Sequence, residues 1–562
     1  MLTPWGEKLD KNNILTEYPR PQMRRDSYYN LNGEWDYAFT AANETQPKNW
    51  DGKILVPFSP ESELSGVGRA LKPDEFLWYR REWVRPETGD RIILHFGAVD
   101  QSCTVYINGL RAWRHIGGYL PFEFDATGFL HKGVNEISLS VRDLSDTSYH
   151  SRGKQKTERG GIWYTPQSGI WQTVWAEVVP HDCIVGLKIT PDFDNACVRV
   201  IADTVGDKKG FAEFDGKSYP LPAVIPVPDF EPWSPENPKL YDLTVRYGSD
   251  TVRSYFAMRK FSVEADERGT KRLFLNGKPY FHNGLLDQGY WSDGLYTAPS
   301  DEAMIFDIKT AKDMGFNMLR KHIKIEPLRW YYHCDRLGML VWQDMVNGGG
   351  SYNPLLVTAP LFTGIHLKDR NYKLFARDDM DGRARYETEL GEMVTLLYNC
   401  PCIAMWVPFN EGWGQFDAAR IADKLHSADP TRTIDHASGW HDQRVGETKS
   451  LHVYFKKYRF APDKLGRAVM LTEFGGYNWA VKGHCANDKN FGYKRFKSAK
   501  ALTKALRSLY DTQIRPAYES GLSAAVYTQL SDVEDEVNGL VTFDRKVVKI
   551  SPDTMRNIVK VE

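Results

Sequence analysis

Two glutamates each follow a short apolar run and precede glycine. One run reads Cys402-Ile403-Ala404-Met405-Trp406-Val407-Pro408-Phe409-Asn410-Glu411-Gly412, the other Ala468-Val469-Met470-Leu471-Thr472-Glu473-Phe474-Gly475. Such runs read as parallel strands buried on both faces, and the Pro, Asn and Gly that follow mark the passage into a loop. Barrel enzymes carry their reacting groups at that place. A lone glutamate there more often caps a helix or pairs with an arginine; a second one in the same setting changes the reading. The interval between them leaves room for two βα units. If Glu411 ends strand four of an eight-stranded barrel, Glu473 ends strand seven, and both carboxylates face one mouth. Two facing carboxyl groups with aromatic neighbours suit glycoside hydrolysis, one ionised below a cationic sugar ring and one handling a proton above it.

The elements that must position this pair are legible by pattern. From about residue 263 the chain alternates strand and helix, with strand candidates at 273–282, 317–322, 339–344, 402–407, 433–437, 451–454, 469–473 and 524–529. Helical stretches fall at 300–314, 328–337, 385–398, 417–427 and 497–519. Eight strands with intervening helices predict a (β/α)8 TIM barrel over 263–562. The long connection 345–385 is expected to shape the mouth. Ahead of the barrel, 1–180 shows short strands and tight turns, as in 103–107 followed by Asn108-Gly109, predicting a jelly-roll β-sandwich. Residues 181–262 predict a second, immunoglobulin-like β-sandwich. The Gly/Ile/Trp units Gly161-Ile162-Trp163 and Gly169-Ile170-Trp171 read as the seal of a domain junction rather than a sugar site.

The 562 residues carry 72 basic and 73 acidic side chains without a charged block, which argues against nucleic acid and membrane partners. Seven scattered cysteines lack zinc spacing and read as reduced thiols. No signal peptide is visible, so a cytoplasmic protein is expected unless an export signal has been cut away. No cofactor or metal is implied, and a homo-oligomer stays open. The acidic stretch 532–536 reads as a solvated loop or salt-bridged edge.

Taken in order, several motifs resemble glycoside hydrolase family 2, which includes β-galactosidases, β-glucuronidases and β-mannosidases. They are Leu31-Asn32-Gly33-Glu34-Trp35, Ser168-Gly169-Ile170-Trp171, Pro238-Lys239-Leu240-Tyr241, Phe316-Asn317-Met318-Leu319-Arg320, Asp335-Arg336-Leu337-Gly338-Met339, Asn410-Glu411 and Thr472-Glu473-Phe474-Gly475. The resemblance implies a retaining, exo-acting enzyme with Glu411 as acid/base and Glu473 as nucleophile. It also implies that Asn410 holds the sugar's 2-hydroxyl, that Arg320 lies near the nucleophile, and that Tyr454 donates to it. His322 lies near the family's strand-two histidine in an altered motif, Arg-Lys-His. Trp413 is a candidate for contact with sugar; of Trp291, Trp440 and Trp479, in loops on the barrel's C-terminal side, one or two are expected to stack on sugar and the rest to pack, while His436 and His452 suit packing or support as well as sugar contact. Family glucuronidases carry Asn-x-Lys after strand eight. Here that stretch is Glu534-Asp535-Glu536-Val537-Asn538-Gly539-Leu540, whose acids would repel a uronate. A β-galactosidase is therefore expected first, with β-mannosidase, β-glucuronidase or arabinosidase as alternatives. A non-catalytic carbohydrate-binding protein is the alternative of another class.

Overall fold

The computed structural model describes residues 1–41 and 45–561. The first part is a sandwich of two antiparallel sheets. Tyr29–Asn30, Val174–Val179, Arg91–Phe96 and Phe122–Asp125 form one; Gly52–Val56, Gly33–Ala41, Glu75–Val84, Val134–Arg142, Ser102–Ile107 and Leu110–Ile116 form the other. Side chains alternate cleanly where one face meets water: Phe122 and Phe124 are buried, Glu123 and Asp125 exposed. Trp35, Leu77, Tyr79, Leu94, Phe96 and Leu139 fill the space between the sheets. An immunoglobulin-like unit follows, with Cys183–Asp192, Cys197–Val205 and Ala223–Pro226 facing a four-stranded sheet that includes Tyr241–Tyr247 and Asp250–Phe256. It locks onto the barrel through Trp233, whose indole N–H donates to the Asp335 carbonyl at 2.8 Å, and through Tyr255, whose hydroxyl donates to the Asp335 carboxylate at 2.7 Å.

The rest is a barrel of eight parallel strands: β1 (His282–Asp287), β2 (Met318–Lys321), β3 (Leu340–Asp344), β4 (Ile403–Val407), β5 (Thr433–Ile434), β6 (Thr448–Val453), β7 (Ala468–Gly475) and β8 (Ala524–Thr528). The order in the sheet is β5-β4-β3-β2-β1-β8-β7-β6, so only β5 and β6 are left unpaired to each other and the barrel is nearly closed. Every residue of β1, β2, β3, β4, β7 and β8 is buried, which is why β4, β7 and β8 read as largely apolar runs. Helix α1 (Asp301–Asp313) starts where the Ser300 hydroxyl accepts from the Ala303 N–H, and α2 (Leu328–Leu337) ends at the left-handed Gly338. No helix among the described residues is long and apolar enough to cross a membrane.

The first barrel strand departs from expectation. Lys271–Leu275 is not part of the barrel; it pairs antiparallel with Phe261–Ala265 and Lys278–Pro279. Asn276 and Gly277, both at positive φ, make the hairpin turn. This hairpin covers the barrel's N-terminal end, where Arg272 donates to the carbonyls of Tyr518 and Leu522. β1 is instead His282–Asp287. Its Gly284 looks like a turn residue in sequence, yet it is needed because a Cβ there would sit 2.5 Å from the Met318 side chain. The helix expected over 497–519 is broken. A π-helical turn, Tyr510–Ile514, separates Ala499–Leu509 from Arg515–Ser520, next to Pro516, which has no N–H to donate.

Candidate active site

Beyond β4 the chain turns away through Pro408, whose carbonyl accepts from the Tyr386 hydroxyl while Tyr386 stacks on Phe409. Phe409 and Glu411 keep the barrel register by bonding to the Ser438 backbone at 2.9 Å each. Glu411 and Gly412 then sit at φ +50° and +74°, in the left-handed region. A Cβ on Gly412 would stand 2.6 Å from His441, so only glycine fits. Strain of this kind persists where the surroundings over-determine it, and it aims the Glu411 side chain into the barrel mouth.

Glu473 comes from within β7. One carboxylate oxygen of Glu411, one of Glu473 and a ring nitrogen of His452 lie within 4.8 Å of one another. His452 Nδ1 is 2.8 Å from Glu411 Oε1 and 3.6 Å from Glu473 Oε2, and its Nε2 is 3.2 Å from the Ser438 hydroxyl.

Arg320 organises the floor. It donates to Asp344 at 3.0 Å, to Glu473 Oε1 at 3.2 Å and to Asn410 Oδ1 at 2.9 Å. Asn410 Nδ2 is buried with no partner among the described residues, a free donor beside the pair. Tyr454 gives its hydroxyl to Glu473 Oε2 and lies 3.0 Å from Thr528 Oγ1. His322 Nδ1 meets Asp344 at 2.7 Å; burial and Lys154 keep its pKa well below the usual range, so it is neutral and donates that N–H.

The two carboxyl groups are pushed apart. Burial raises the Glu411 pKa and the neighbouring Glu473 charge adds to this, outweighing the hydrogen bond from His452. Burial acts the same way on Glu473, but His452, Arg320 and the Tyr454 hydroxyl outweigh it and hold that group below the ordinary carboxylate range.

A cleft of about 590 Å³ opens at Glu411, walled by Trp163, Tyr352, Trp413, Trp440, Tyr454 and Tyr493. Trp413 lies 5.3 Å from Trp163 and 6.5 Å from Tyr352, centroid to centroid, and Tyr454 stacks on Tyr493 at 3.7 Å. Connection 345–385 forms one side through α3 (Pro354–Thr363), and the Trp440 indole is tied to it by a 3.1 Å bond to the Val357 carbonyl. A larger cavity, about 1230 Å³, lies between the sandwich and the outer helices and holds none of these groups.

Three family models match the chain in succession: "Glycosyl hydrolases family 2, sugar binding domain" over residues 74–175, "Glycosyl hydrolases family 2" over 184–259, and "Glycosyl hydrolases family 2, TIM barrel domain" over 268–474. The chain belongs to glycoside hydrolase family 2. Among its family 2 relatives, a β-galactosidase of Thermoanaerobacter pseudethanolicus is 23% identical over 506 residues, 82% of this chain and 62% of that one. A putative β-glucuronidase of Formosa agariphila is 26% identical over 424 residues, 68% of this chain and 44% of that one. The chain thus spans less than two thirds of the length of these relatives. In fold it is similar to a β-glucuronidase of an uncultured Clostridium sp. (TM-score 0.73, 18% identity, 96% of this chain and 99% of that one). A β-galacturonidase of Eisenbergiella tayi bound to galacturonate is comparable (TM-score 0.71, 18% identity, 97% and 99%).

Of the residues singled out in sequence, Glu411, Glu473, Asn410, Arg320, His322, Tyr454, Trp413 and Trp440 come together here. Trp479 does not; it packs half-buried against the barrel core. Trp406, five residues before Glu411, is fully buried and donates to Asp429 beneath β4. His436 turns to Asp442 at 3.1 Å. Trp291 is packed under Arg545. Gly161-Ile162-Trp163, read as junction, lines the cleft; Gly169-Ile170-Trp171 does seal the junction, with Trp171 1% exposed. Tyr352 and Tyr493 carry no local signal in sequence, since each enters the cleft from a loop.

Proposed function

We propose that this chain is a retaining, exo-acting β-glycoside hydrolase. Glu473 attacks the anomeric carbon, the bond to the leaving oxygen breaks, and Glu411 gives that oxygen its proton. Water then gives a proton back to Glu411 as it releases the sugar from Glu473. The observation that carries this reading is the pairing of a low-pKa and a high-pKa carboxyl group whose oxygens approach within 4.8 Å. Retaining glycosidases hold the two at about 5–5.5 Å, whereas inverting ones need about 6.5–9.5 Å for a water between them. Arg320 and the Tyr454 hydroxyl keep Glu473 ionised, and the free Asn410 Nδ2 suits a sugar hydroxyl.

The sugar has two readings. The missing lysine after β8 favours a neutral β-galactoside, in keeping with the β-galactosidases among the relatives. A specific observation favours a uronide. The acidic stretch thought to repel one is already paired, Asp532 with Lys549 at 2.7 Å and Glu534 and Asp535 with Arg159 at 3.3 and 3.1 Å. A cytoplasmic setting is also proposed, on seven free thiols.

Azide rescue tests the roles. Glu411→Ala should form the glycosyl-enzyme from a dinitrophenyl glycoside and then stall, losing about 10²–10⁴-fold in turnover. Azide should speed it and yield the β-glycosyl azide. With Glu473→Ala, azide attacks the substrate directly and the α-azide forms. The opposite anomers would reverse the assignment, and wild-type rates in both variants would sink it.

A further inference from the structure

The wall that the sandwich contributes to the cleft carries the cations Arg152 and Lys156, with Lys154 buried close by, and together they are only partly neutralised. Lys156 lines the cleft half-buried, and its ammonium has no hydrogen-bond partner and no carboxylate within 4.0 Å among the described residues. Arg152 is 6% exposed, yet its guanidinium donates only to carbonyls, those of Ser148 at 3.3 Å, Gly349, and Gly350 at 3.0 Å, while lying 5.2 Å from the Tyr352 ring centroid. Lys154 is 5% exposed, and its nearest carboxylate, Glu536 at 3.8 Å, already accepts the Tyr164 hydroxyl. Lys154 also stands 5.9 Å from the Trp413 ring, beside Glu411. Facing this wall, Asp146 is tied to Thr157 at its backbone N–H and hydroxyl (3.0 and 2.6 Å) rather than to any of the three cations.

Burying cations that are incompletely neutralised is costly, and a neutral sugar would meet their donors but not their charge. We infer that Arg152, Lys154 and Lys156 form a sandwich-borne receptor for an acidic group, a carboxylate or a sulfate ester, on the glycoside that the barrel cleaves. This rests on the glycosidase reading and narrows its substrate class. Arg152 is fixed by the carbonyls it bonds and supplies field. Lys156, the ammonium without a partner, supplies the direct contact as a mobile point charge.

The test is kcat/KM for nitrophenyl β-galactoside, β-galacturonide, β-glucuronide and β-galactoside 6-sulfate. The wild-type enzyme should favour at least one acidic member over the neutral one by about 10- to 100-fold, the worth of a charged hydrogen bond. Whether the sulfate or the carboxylates are favoured tells the two sources apart. In Lys156→Gln the acidic-to-neutral ratio should fall about tenfold or more, and in Lys156→Arg most of it should return. A neutral galactoside cleaved faster than every acidic one overturns the inference and leaves the glycosidase reading standing. So does a ratio that Lys156→Gln leaves unchanged. A folded enzyme that cleaves none of the four, nor any other nitrophenyl glycoside, takes down both.

Discussion

At the scale of residues, what separates Glu411 from Glu473 is surroundings, not chemistry. Glu473 is buried and Glu411 half-buried, and only Glu473 has Arg320 and the Tyr454 hydroxyl on its oxygens. The roles proposed for the pair require Glu473 ionised and Glu411 protonated. The kcat/KM profile should therefore be a bell, its acid limb below and its alkaline limb above the usual carboxylate pKa of 4.5. The limbs belong to the coupled pair rather than to either residue alone. His452 lowers both groups, so His452→Phe should move both limbs to higher pH. Limbs that stay put or move toward acid would contradict the electrostatics described here. Tyr454→Phe removes only the donor on Glu473; its acid limb should rise and kcat fall, with less effect on the alkaline limb.

At the scale of elements, the carboxylates are held by strand ends that are anchored from below. Asp429 takes the Trp406 indole N–H at 3.0 Å and the Arg432 guanidinium at 2.8 Å, and Arg432 also bonds the carbonyls of Tyr398, Cys400 and Ile403 at the start of β4. Breaking such a buried pair costs about 3–5 kcal/mol, so Asp429→Ala should lower the melting temperature markedly. The Asp429 pKa, raised by burial, is driven down to about 2 by Arg432 and its hydrogen bonds. Because the folded value is depressed, its stabilisation is present above the unfolded pKa near ~3.9 and is lost as pH falls through about 2. Acid unfolding of Asp429→Asn should lack this component. Gly412→Ala should cost activity more than stability, since it displaces His441 and the Glu411 turn together. Strands β4, β7 and β8 were legible because burial on both faces leaves largely apolar runs. β1 was not, because Asn283-Gly284 mimics a turn and Leu273 to Leu275 mimics a strand of the barrel. What distinguishes them is the neighbour each meets in space, Met318 in one case and Phe261–Ala265 in the other.

At the scale of the whole molecule, the cleft is a joint product of sandwich and barrel. Trp163 and Arg152 come from one, Trp413 and Tyr352 from the other. We therefore propose that 1–180, 181–262 and 263–562 work as one unit. A separately produced barrel of 263–562 should be inactive or insoluble; full activity from it would make the sandwich an accessory. Trp163→Ala in the intact chain should raise KM by about tenfold or more with a smaller change in kcat, because it removes a ring from the platform and not from the reacting pair. This sharing also explains why the wall was illegible. A local pattern of glycines and tryptophans cannot tell a sealed junction from an open one, and the two Gly/Ile/Trp units split between those outcomes.

The most direct measurement is to trap the intermediate. A 2-deoxy-2-fluoro-β-glycosyl fluoride of the sugar cleaved fastest should inactivate the enzyme with time and add one fluorosugar per chain. Peptide mass spectrometry should place that mass on Glu473. Label on Glu411, or inactivation without a covalent adduct, would contradict the assignment of Glu473 as the nucleophile.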